Sequence, residues 1–226
     1  MTLSNVAELR SVPTLYRIGS LPEPFAWPPP EKLAWPNEHR DRFDDPDRKV
    51  RVLYASESEY GCALEIVARF RFRPSGGLLE DAGRYGTGPL PATGIIPASY
   101  FRLKALGELS LSLAPGEVFL DLRATQTLTS LRAAIAPTAR KAGLHPFELE
   151  RSDALGRNRR LTQEIARWAI AQGYRGLAYE SRWSRDVTNW ALFEPLPLEP
   201  GPVRELDAHS DPAIARALGA LGVELG

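Results

Sequence analysis

The stretch Val50–Arg71, V-R-V-L-Y-A-S-E-S-E-Y-G-C-A-L-E-I-V-A-R-F-R, constrains the fold more than any other part of the chain. Val50, Val52 and Tyr54 alternate with Arg51 and Leu53, the period of a half-buried strand over Val50–Ala55. The period then turns helical: Cys62, Ala63, Ile66, Val67 and Phe70 share one face of a helix over about Ser58–Phe70. Ser56 or Ser58 can cap that helix, because a serine oxygen accepts a first-turn N–H. Glu65 stands between Leu64 and Ile66, near the edge of the apolar face. A carboxylate beside a core, just past a strand end, is either an ordinary surface glutamate or a working group. This stretch alone does not choose between them.

The remaining elements are read in order. Residues 1–12 make a short helix or a loose arm, and Thr14–Gly19 a short strand carrying Arg17. Leu21–Pro36 holds six prolines and two tryptophans, Trp27 and Trp35, and reads as a rigid extended loop. Asn37–Arg51 mixes both charge signs, as a solvated loop does. Phe70–Pro74 can leave the helix as a further strand, and Gly76–Pro97 reads as a Gly/Pro-rich loop. Ala98–Leu113 alternates as two strands, and Glu117–Arg123 as one. Thr125–Gly143 is helical with Pro137 breaking or kinking it. Asn158 caps a helix to about Gln172, its apolar face formed by Leu161, Ile165, Trp168, Ala169 and Gln172. Strands follow at Leu177–Tyr179 and Trp190–Phe193, then a linker at Leu196–Pro202. Asp211-Pro212 starts a last helix, Ala213–Leu221. Strands and helices in no regular βαβ rhythm point to an α+β fold. The simplest division is an N-terminal arm (1–13), one domain (14–195), and a linker with a C-terminal helix (196–226).

Composition removes several classes of function. Lys and Arg together number 28 and Asp and Glu 28, giving a formal net charge of zero. That balance lacks the basic footprint of a nucleic-acid binder. The one cysteine, Cys62, can form no disulfide within the chain, and the three histidines (His39, His145, His209) are scattered. Neither a disulfide framework nor a thiolate metal site is expected, which fits a reducing compartment. No apolar run approaches a membrane span and the first residues lack a signal-peptide core, so a soluble cytoplasmic protein is expected. The Gly83–Gly88 run, G-R-Y-G-T-G, hints at a phosphate cradle. It lacks the Lys-Ser/Thr ending of a P-loop and a clean strand before it.

Three separated signatures fit together: T-L-Y-R-I-G with Arg17; L-Y-A-S-x8-E with Tyr54 and Glu65; and G-Y-R-G-L-A-Y-E-S-R, followed by N-W-A-L-F, with Ser181 and Asn189. In that order they resemble the RES-domain family, named for an Arg, a Glu and a Ser. The resemblance runs from about Leu15 to Pro195. It implies an ADP-ribosyltransferase-like fold, a split mixed sheet with flanking helices around an NAD cleft. It implies an NAD+-degrading enzyme, a glycohydrolase or phosphorylase, acting as the toxin of a RES–Xre toxin–antitoxin module. The alternative is a mono-ADP-ribosyltransferase modifying a protein, or an inactive RES fold serving as a binding module. NAD+ enters as substrate, with no separate cofactor or metal. An Xre-type antitoxin is the implied partner, and homo-oligomerisation stays open.

One departure stands out. The family carries an R-F-N-P-x-G-like stretch, where this chain reads Arg42-Phe43-Asp44-Asp45-Pro46-Asp47. Asp44 replaces Asn and the Gly is absent, which adds negative charge near a proposed dianionic ligand.

Under that resemblance each residue type has a chemical use. Arg17 and Arg42 suit a pyrophosphate, because a guanidinium donates two parallel hydrogen bonds; the plain alternative is surface ion pairing. Tyr16, Phe43 and Tyr54 offer aromatic surface for nicotinamide, or are core residues of short strands. Splitting the nicotinamide–ribose bond passes through an oxocarbenium-like state. A carboxylate that stabilises the developing charge and grips a ribose hydroxyl helps there, by roughly 10²–10³ in rate. Glu65 takes that role. Nicotinamide already leaves from a cationic ring, so no general acid is required. Ser181 orients a ribose or phosphate oxygen, or Glu65 itself, and G-x-S-x-G is missing, which argues against a nucleophile. Asn189 and Arg182 are secondary candidates. Glu180 is a rival carboxylate that strand alternation turns to the face opposite Ser181.

Overall fold

The switch of period at Ser56–Ser58 is where the molecule folds back on itself. Ser58 has extended backbone and its side chain accepts from the Gly61 amide at 3.0 Å, stopping the strand and capping the helix. The computed structural model describes residues 5–34, 41–72, 93–141, 154 and 158–226. In chain order the strands are β1 (Glu8–Leu9), β2 (Leu15–Ser20), β3 (Val52–Ser56), β4 (Ile95–Ile96), β5 (Lys104–Leu111), β6 (Phe119–Asp121), β7 (Gly176–Glu180), β8 (Thr188–Phe193), β9 (Leu198–Glu205) and β10 (Glu224–Leu225). The helices are α1 (Glu59–Val67), α2 (Thr125–Lys141), α3 (Arg159–Ala171) and α4 (Pro212–Leu221).

Eight strands form one sheet in the order β1-β6-β7-β8-β3-β2-β5-β9, and β4 pairs with β10 apart from it. Only β6–β7 is parallel within the large sheet, so the sheet is mixed. The sheet is split at its middle. Strands β2 and β3 pair at the single position Tyr16↔Ser56, whereas β3 pairs with β8 over five positions and β2 with β5 over six.

Alternation assigns the faces. Leu15, Leu53, Ala55, Leu109, Ala178, Trp190 and Leu192 form a core on one face, covered by Phe25 and Leu196. The opposite face carries two separate cores, one on each side of the split. Ile18 and Leu106 pack with α1 and with Ile214 and Ala217 of α4. Val52, Leu177, Tyr179, Ala191 and Phe193 pack with Leu131 and Ile135 of α2 and Leu161 and Ile165 of α3. The seam between these two cores is where polar side chains gather.

Several elements differ from expectation. Leu196–Pro202 was expected to be a linker, but Leu198–Glu205 is β9, an edge strand paired to β5. Pro200 and Pro202 are tolerated there because an edge strand has one side without ladder partners. Within Ala98–Leu113 a 3₁₀ turn (Ala98–Leu103) that buries Phe101 replaces the first of two expected strands. Residues 8–9 are a short strand against β6, neither helix nor loose arm. Phe70 lies in a 3₁₀ turn (Ala68–Phe70) that extends α1, and the described part of the expected Phe70–Pro74 strand, through Phe72, is not a strand. Helix α2 runs through Pro137. Asn158 does cap α3 by accepting from the Leu161 amide, but Gln172 is exposed at its end. The last helix is no appendage, since Asp211 caps it and Ile214 and Ala217 are fully buried with α1. Among the described residues no helix is long and apolar enough to cross a membrane.

Candidate functional site

Helix α1 lies unusually close to the sheet because Gly61 has no side chain. A Cβ at Gly61 would sit 2.0 Å from Ser56 Oγ and 2.7 Å from Val187 Cγ1. One turn later, Glu65 reaches the seam. Its Oε1 accepts from Ser181 Oγ at 2.9 Å and from Asn189 Nδ2 at 2.8 Å. Oε2 carries no hydrogen bond among the described residues. Ser181 and Asn189 are almost fully buried, while Glu65 keeps partial exposure.

The two donors are fixed by the strands behind them. Asn189 opposes both Ser56 on β3 and Tyr179 on β7. Ser181 follows β7 directly, and its amide donates to Val187 O at 2.8 Å. The Ser181 oxygen also accepts from the Trp183 amide at 3.2 Å, so the hydroxyl proton is aimed at the carboxylate. The turn-serine role and the site role are both filled by one hydroxyl, and its geometry is that of an orienting group. The Asn189 amide orientation follows from its partner, because only its NH₂ can donate to a carboxylate. This leaves Asn189 Oδ1 buried with no hydrogen-bond partner, an orphaned acceptor next to Glu65.

Tyr54 organises the facing side. Its hydroxyl donates to Asp44 Oδ1 at 2.9 Å and accepts from the Phe43 amide at 2.9 Å. Asp44 Oδ2 accepts from the Asp41 amide, and the Asp41 carbonyl accepts from Gln163 Nε2 of α3. The loop 41–45 is thereby held from both flanks, and with it Arg42. The Arg42 guanidinium stands 5.9 Å from the Phe43 ring centre and 5.7 Å from that of Tyr179, a cation over two aromatic faces. Phe43 is fully buried, its ring 4.6 Å from that of Tyr179, so it backs the aromatic wall rather than lining it. Asp44, which stands for the family's Asn, and the neighbouring Asp45 are both spent locally. Asp44 binds the Tyr54 phenol, and buried Asp45 accepts from the amides of Asp47, Lys49 and Val50. Further along the same loop, Arg48 takes φ +62°, a left-handed conformation that suits glycine.

Arg17 bridges the split. Its Nε donates to Pro24 O at 2.8 Å, and a terminal nitrogen donates to Tyr54 O at 2.5 Å. The guanidinium thus ties β2 to the first residues past the single pair that joins it to β3. Tyr16 is half-buried against the α1 core, and its carbonyl accepts from Cys62 Sγ at 3.0 Å.

Burial governs the ionisation of the seam. It pushes the Tyr54 phenol well above its ordinary range, and the charges of Asp44 and Asp41 push the same way. The Tyr179 phenol is raised by burial and then by Glu65, partly offset by Arg42. The Cys62 thiol is pushed up to about 12 by burial, despite the opposing charge of Arg17. All three stay neutral at ordinary pH.

Of the residues singled out by sequence, Glu65, Ser181 and Asn189 meet directly, and Tyr54, Phe43 and Arg42 form a second connected group. Arg17 touches the second group through Tyr54. Glu180 lies on the other face, where its charge acts on Arg123. Arg182 stacks on Trp183, its guanidinium 4.5 Å from the ring centre. His39, His145 and the Gly83–Gly88 run lie outside the described residues. Sequence reasoning passed over Tyr179, Asp44 as the phenol's acceptor, and Gln163. For Tyr179 a signal existed, since it stands two residues before Ser181 on the same strand face.

This split α+β sheet, with a glutamate, a serine and an arginine converging on the split, defines a class. The RES domain family model matches residues 14–211, and the chain belongs to the RES domain family. Among solved structures it is similar to a chain of the M. tuberculosis MbcT–MbcA toxin–antitoxin complex. That match has 14% identity and a TM-score of 0.51, covering 91% of this chain and 87% of the other. The fold is the ADP-ribosyltransferase-like α+β arrangement the sequence pointed to. No curated protein matches the sequence.

Proposed function

We propose that this chain cleaves the nicotinamide–ribose bond of NAD+, by hydrolysis or phosphorolysis, as the toxin of a toxin–antitoxin pair. One observation carries it: Glu65 is fixed through Oε1 by Ser181 and Asn189, while among the described residues Oε2 takes no bond and Asn189 Oδ1 is a buried acceptor without a partner. Two acceptors side by side suit the hydroxyls of a ribose, and the carboxylate's negative charge suits an anomeric carbon turning cationic. Because Ser181 and Asn189 hold Oε1 in advance, little reorganisation is needed as that charge develops.

The other groups take supporting roles. Arg42 and Arg17 supply positive charge for the pyrophosphate, and Tyr16, Tyr54 and Tyr179 supply aromatic surface around the seam. The pyridinium is its own leaving group, so no proton donor is assigned. The toxin role is supported by membership of the RES domain family together with the fold shared with a chain from a toxin–antitoxin complex. An antitoxin protein that covers the seam is the matching partner.

The test is to incubate the purified protein with NAD+, with and without inorganic phosphate, and to follow nicotinamide release. Release that depends on Glu65 is expected. No release from the wild type, or equal release from Glu65→Ala, rejects the proposal. Label from NAD+ appearing on protein would instead identify a protein acceptor.

A further inference from the structure

On the face of the sheet opposite Glu65, Arg123 ties strand ends together. It follows β6, and its Nε and one terminal nitrogen donate to the two oxygens of Asp121 at 2.8 and 2.9 Å. The other terminal nitrogen donates to Thr188 Oγ1 at 3.0 Å and lies 3.9 Å from Glu57 Oε1. That same Glu57 oxygen accepts from Trp190 Nε1 at 3.0 Å. Glu57 follows β3, Asp121 ends β6 and Thr188 opens β8. One guanidinium thus touches residues at the ends of three strands.

These contacts converge on the two neighbours of Asn189. Side chains alternate along β8, so Thr188 and Trp190 point to the face opposite Asn189. Thr188 is held at its hydroxyl by Arg123, and its carbonyl accepts from the Glu57 amide at 3.0 Å and from Ser56 Oγ at 3.1 Å. Trp190 is almost fully buried and is held through Glu57. Asn189, between them, donates to Glu65, and its Oδ1 has no partner among the described residues. Its amide therefore takes its direction from the backbone on either side. The hydrogen bonds to Asp121 favour the charged form of Arg123 against the opposing effect of burial, and the charges of Asp121, Glu57 and Glu180 add to this. Removing the guanidinium leaves the Glu57 and Asp121 carboxylates to repel one another at the same corner.

We infer that Arg123 is a positioning residue for the Glu65 centre, acting from the back of the sheet through Thr188 and Trp190 on Asn189. This deepens the proposed function and rests on it for the reaction. A displacement of about 1 Å at a placed group can cost as much as 10²-fold in rate, so a fixed start of β8 bears on turnover. Lysine replaces the arginine only in part, because the planar fork is what meets both Asp121 oxygens while reaching Thr188.

The experiment compares the wild type with Arg123→Met, Arg123→Lys, Thr188→Val and Arg102→Met, each also in an Asn189→Ala background. Thermal melting first selects the variants that fold. Thr188→Val removes only the acceptor for Arg123 and keeps the side-chain shape, so it decides the matter if Arg123→Met does not fold. By NMR, the side-chain NH₂ signals of Asn189, identified by their loss in Asn189→Ala, are followed for exchange with solvent. Arg123→Met and Thr188→Val are expected to speed that exchange by roughly tenfold or more, the effect of losing one charge-assisted bond. Arg123→Lys should lie between them and the wild type. Arg102→Met, on the exposed turn before β5, should match the wild type. In nicotinamide release, Arg123→Met and Thr188→Val should lower kcat by roughly tenfold with KM for NAD+ unchanged, and should add no loss in Asn189→Ala. An unchanged Asn189 signal overturns the inference, as does an equal effect in Arg102→Met. In an active wild type, an unchanged kcat or a loss of the same factor in Asn189→Ala also overturns it. The NMR measurement needs no turnover. If the wild type releases no nicotinamide, the proposed function fails and the Asn189 signal alone decides the positioning role. Conversely, nicotinamide release with an unchanged signal in the folded variants removes that role and leaves the proposed function.

Discussion

The Ser181 hydroxyl donates to Glu65 Oε1 at 2.9 Å, joining two residues 116 positions apart in the chain. The bond crosses from the end of strand β7 to the last turn of α1, over the seam between two cores. Asn189 adds a second donor to the same oxygen. The carboxylate is therefore aimed by the sheet, not by its own helix.

Removing the carboxylate charge should cost most. Glu65→Gln is expected to lower the rate of nicotinamide release by about 10²–10³, the usual effect of losing one placed electrostatic stabiliser. Asn189→Ala and Ser181→Ala should each cost less, roughly tenfold or more, because each removes one charge-assisted bond of about 1.5–3 kcal/mol. Steady-state rates with saturating NAD+ check the order. Equal rates in all three variants would contradict the assigned roles.

Gly61 is the position at which α1 can be pushed off the sheet. Its added Cβ would meet Ser56 Oγ at 2.0 Å and Val187 Cγ1 at 2.7 Å. Gly61→Val should therefore destabilise the fold by about 1–3 kcal/mol, the range for overpacking. It should also lower activity in the fraction that remains folded, since Glu65 rides on the same helix. Urea midpoints and rates measured on the same preparation test both effects.

Stability should fall in alkaline solution, and the direction follows from the neutral form being favoured in the folded state. Cys62 is held protonated up to about 12, from an ordinary value of 9.0. Its contribution is complete below pH 9 and is lost as pH rises from there toward 12, because the unfolded thiol gives up its proton first. Tyr54 is also raised and adds a decline that begins near its ordinary value of 10.0. Each group adds a slope of about 1.4 kcal/mol per pH unit in its window. Cys62→Ala should flatten the curve between pH 9 and 10. Denaturant midpoints at pH 8 to 11 measure this, and an unchanged slope in Cys62→Ala would rule out the thiol as the cause.

Arg48 holds a left-handed backbone, φ +62°, which costs a side-chain-bearing residue about 1–2 kcal/mol. Arg48→Gly removes that strain and adds unfolded-state freedom worth about 0.4–1 kcal/mol in the other direction. A small net gain, on the order of 0.5 kcal/mol, is expected in the denaturation midpoint. A clear loss would mean that the Arg48 side chain makes contacts outweighing its backbone strain.

The sequence by itself determined most of the local elements and the residues that meet at the candidate site. The change of period after Tyr54 marked the β3–α1 junction, Ser58, Asn158 and Asp211 marked three helix starts, and the ordered Arg17, Glu65 and Ser181 signatures marked the family. These are legible because period and capping act within a few residues. The edge strand β9 was not legible. Its prolines read as a linker, and only the open side of β5 makes them a strand. Nor could the sequence show that Asp44 would spend its charge on the Tyr54 phenol. Glu65 is the sharpest case. Its helix gave it a place at the edge of an apolar face, compatible with a surface residue or a working one. The tertiary structure placed it at the seam, because Gly61 lets α1 approach and the β7–β8 register brings Ser181 and Asn189 to the same carboxylate oxygen. Contacts between distant segments depend on sheet order and register, which no local pattern encodes.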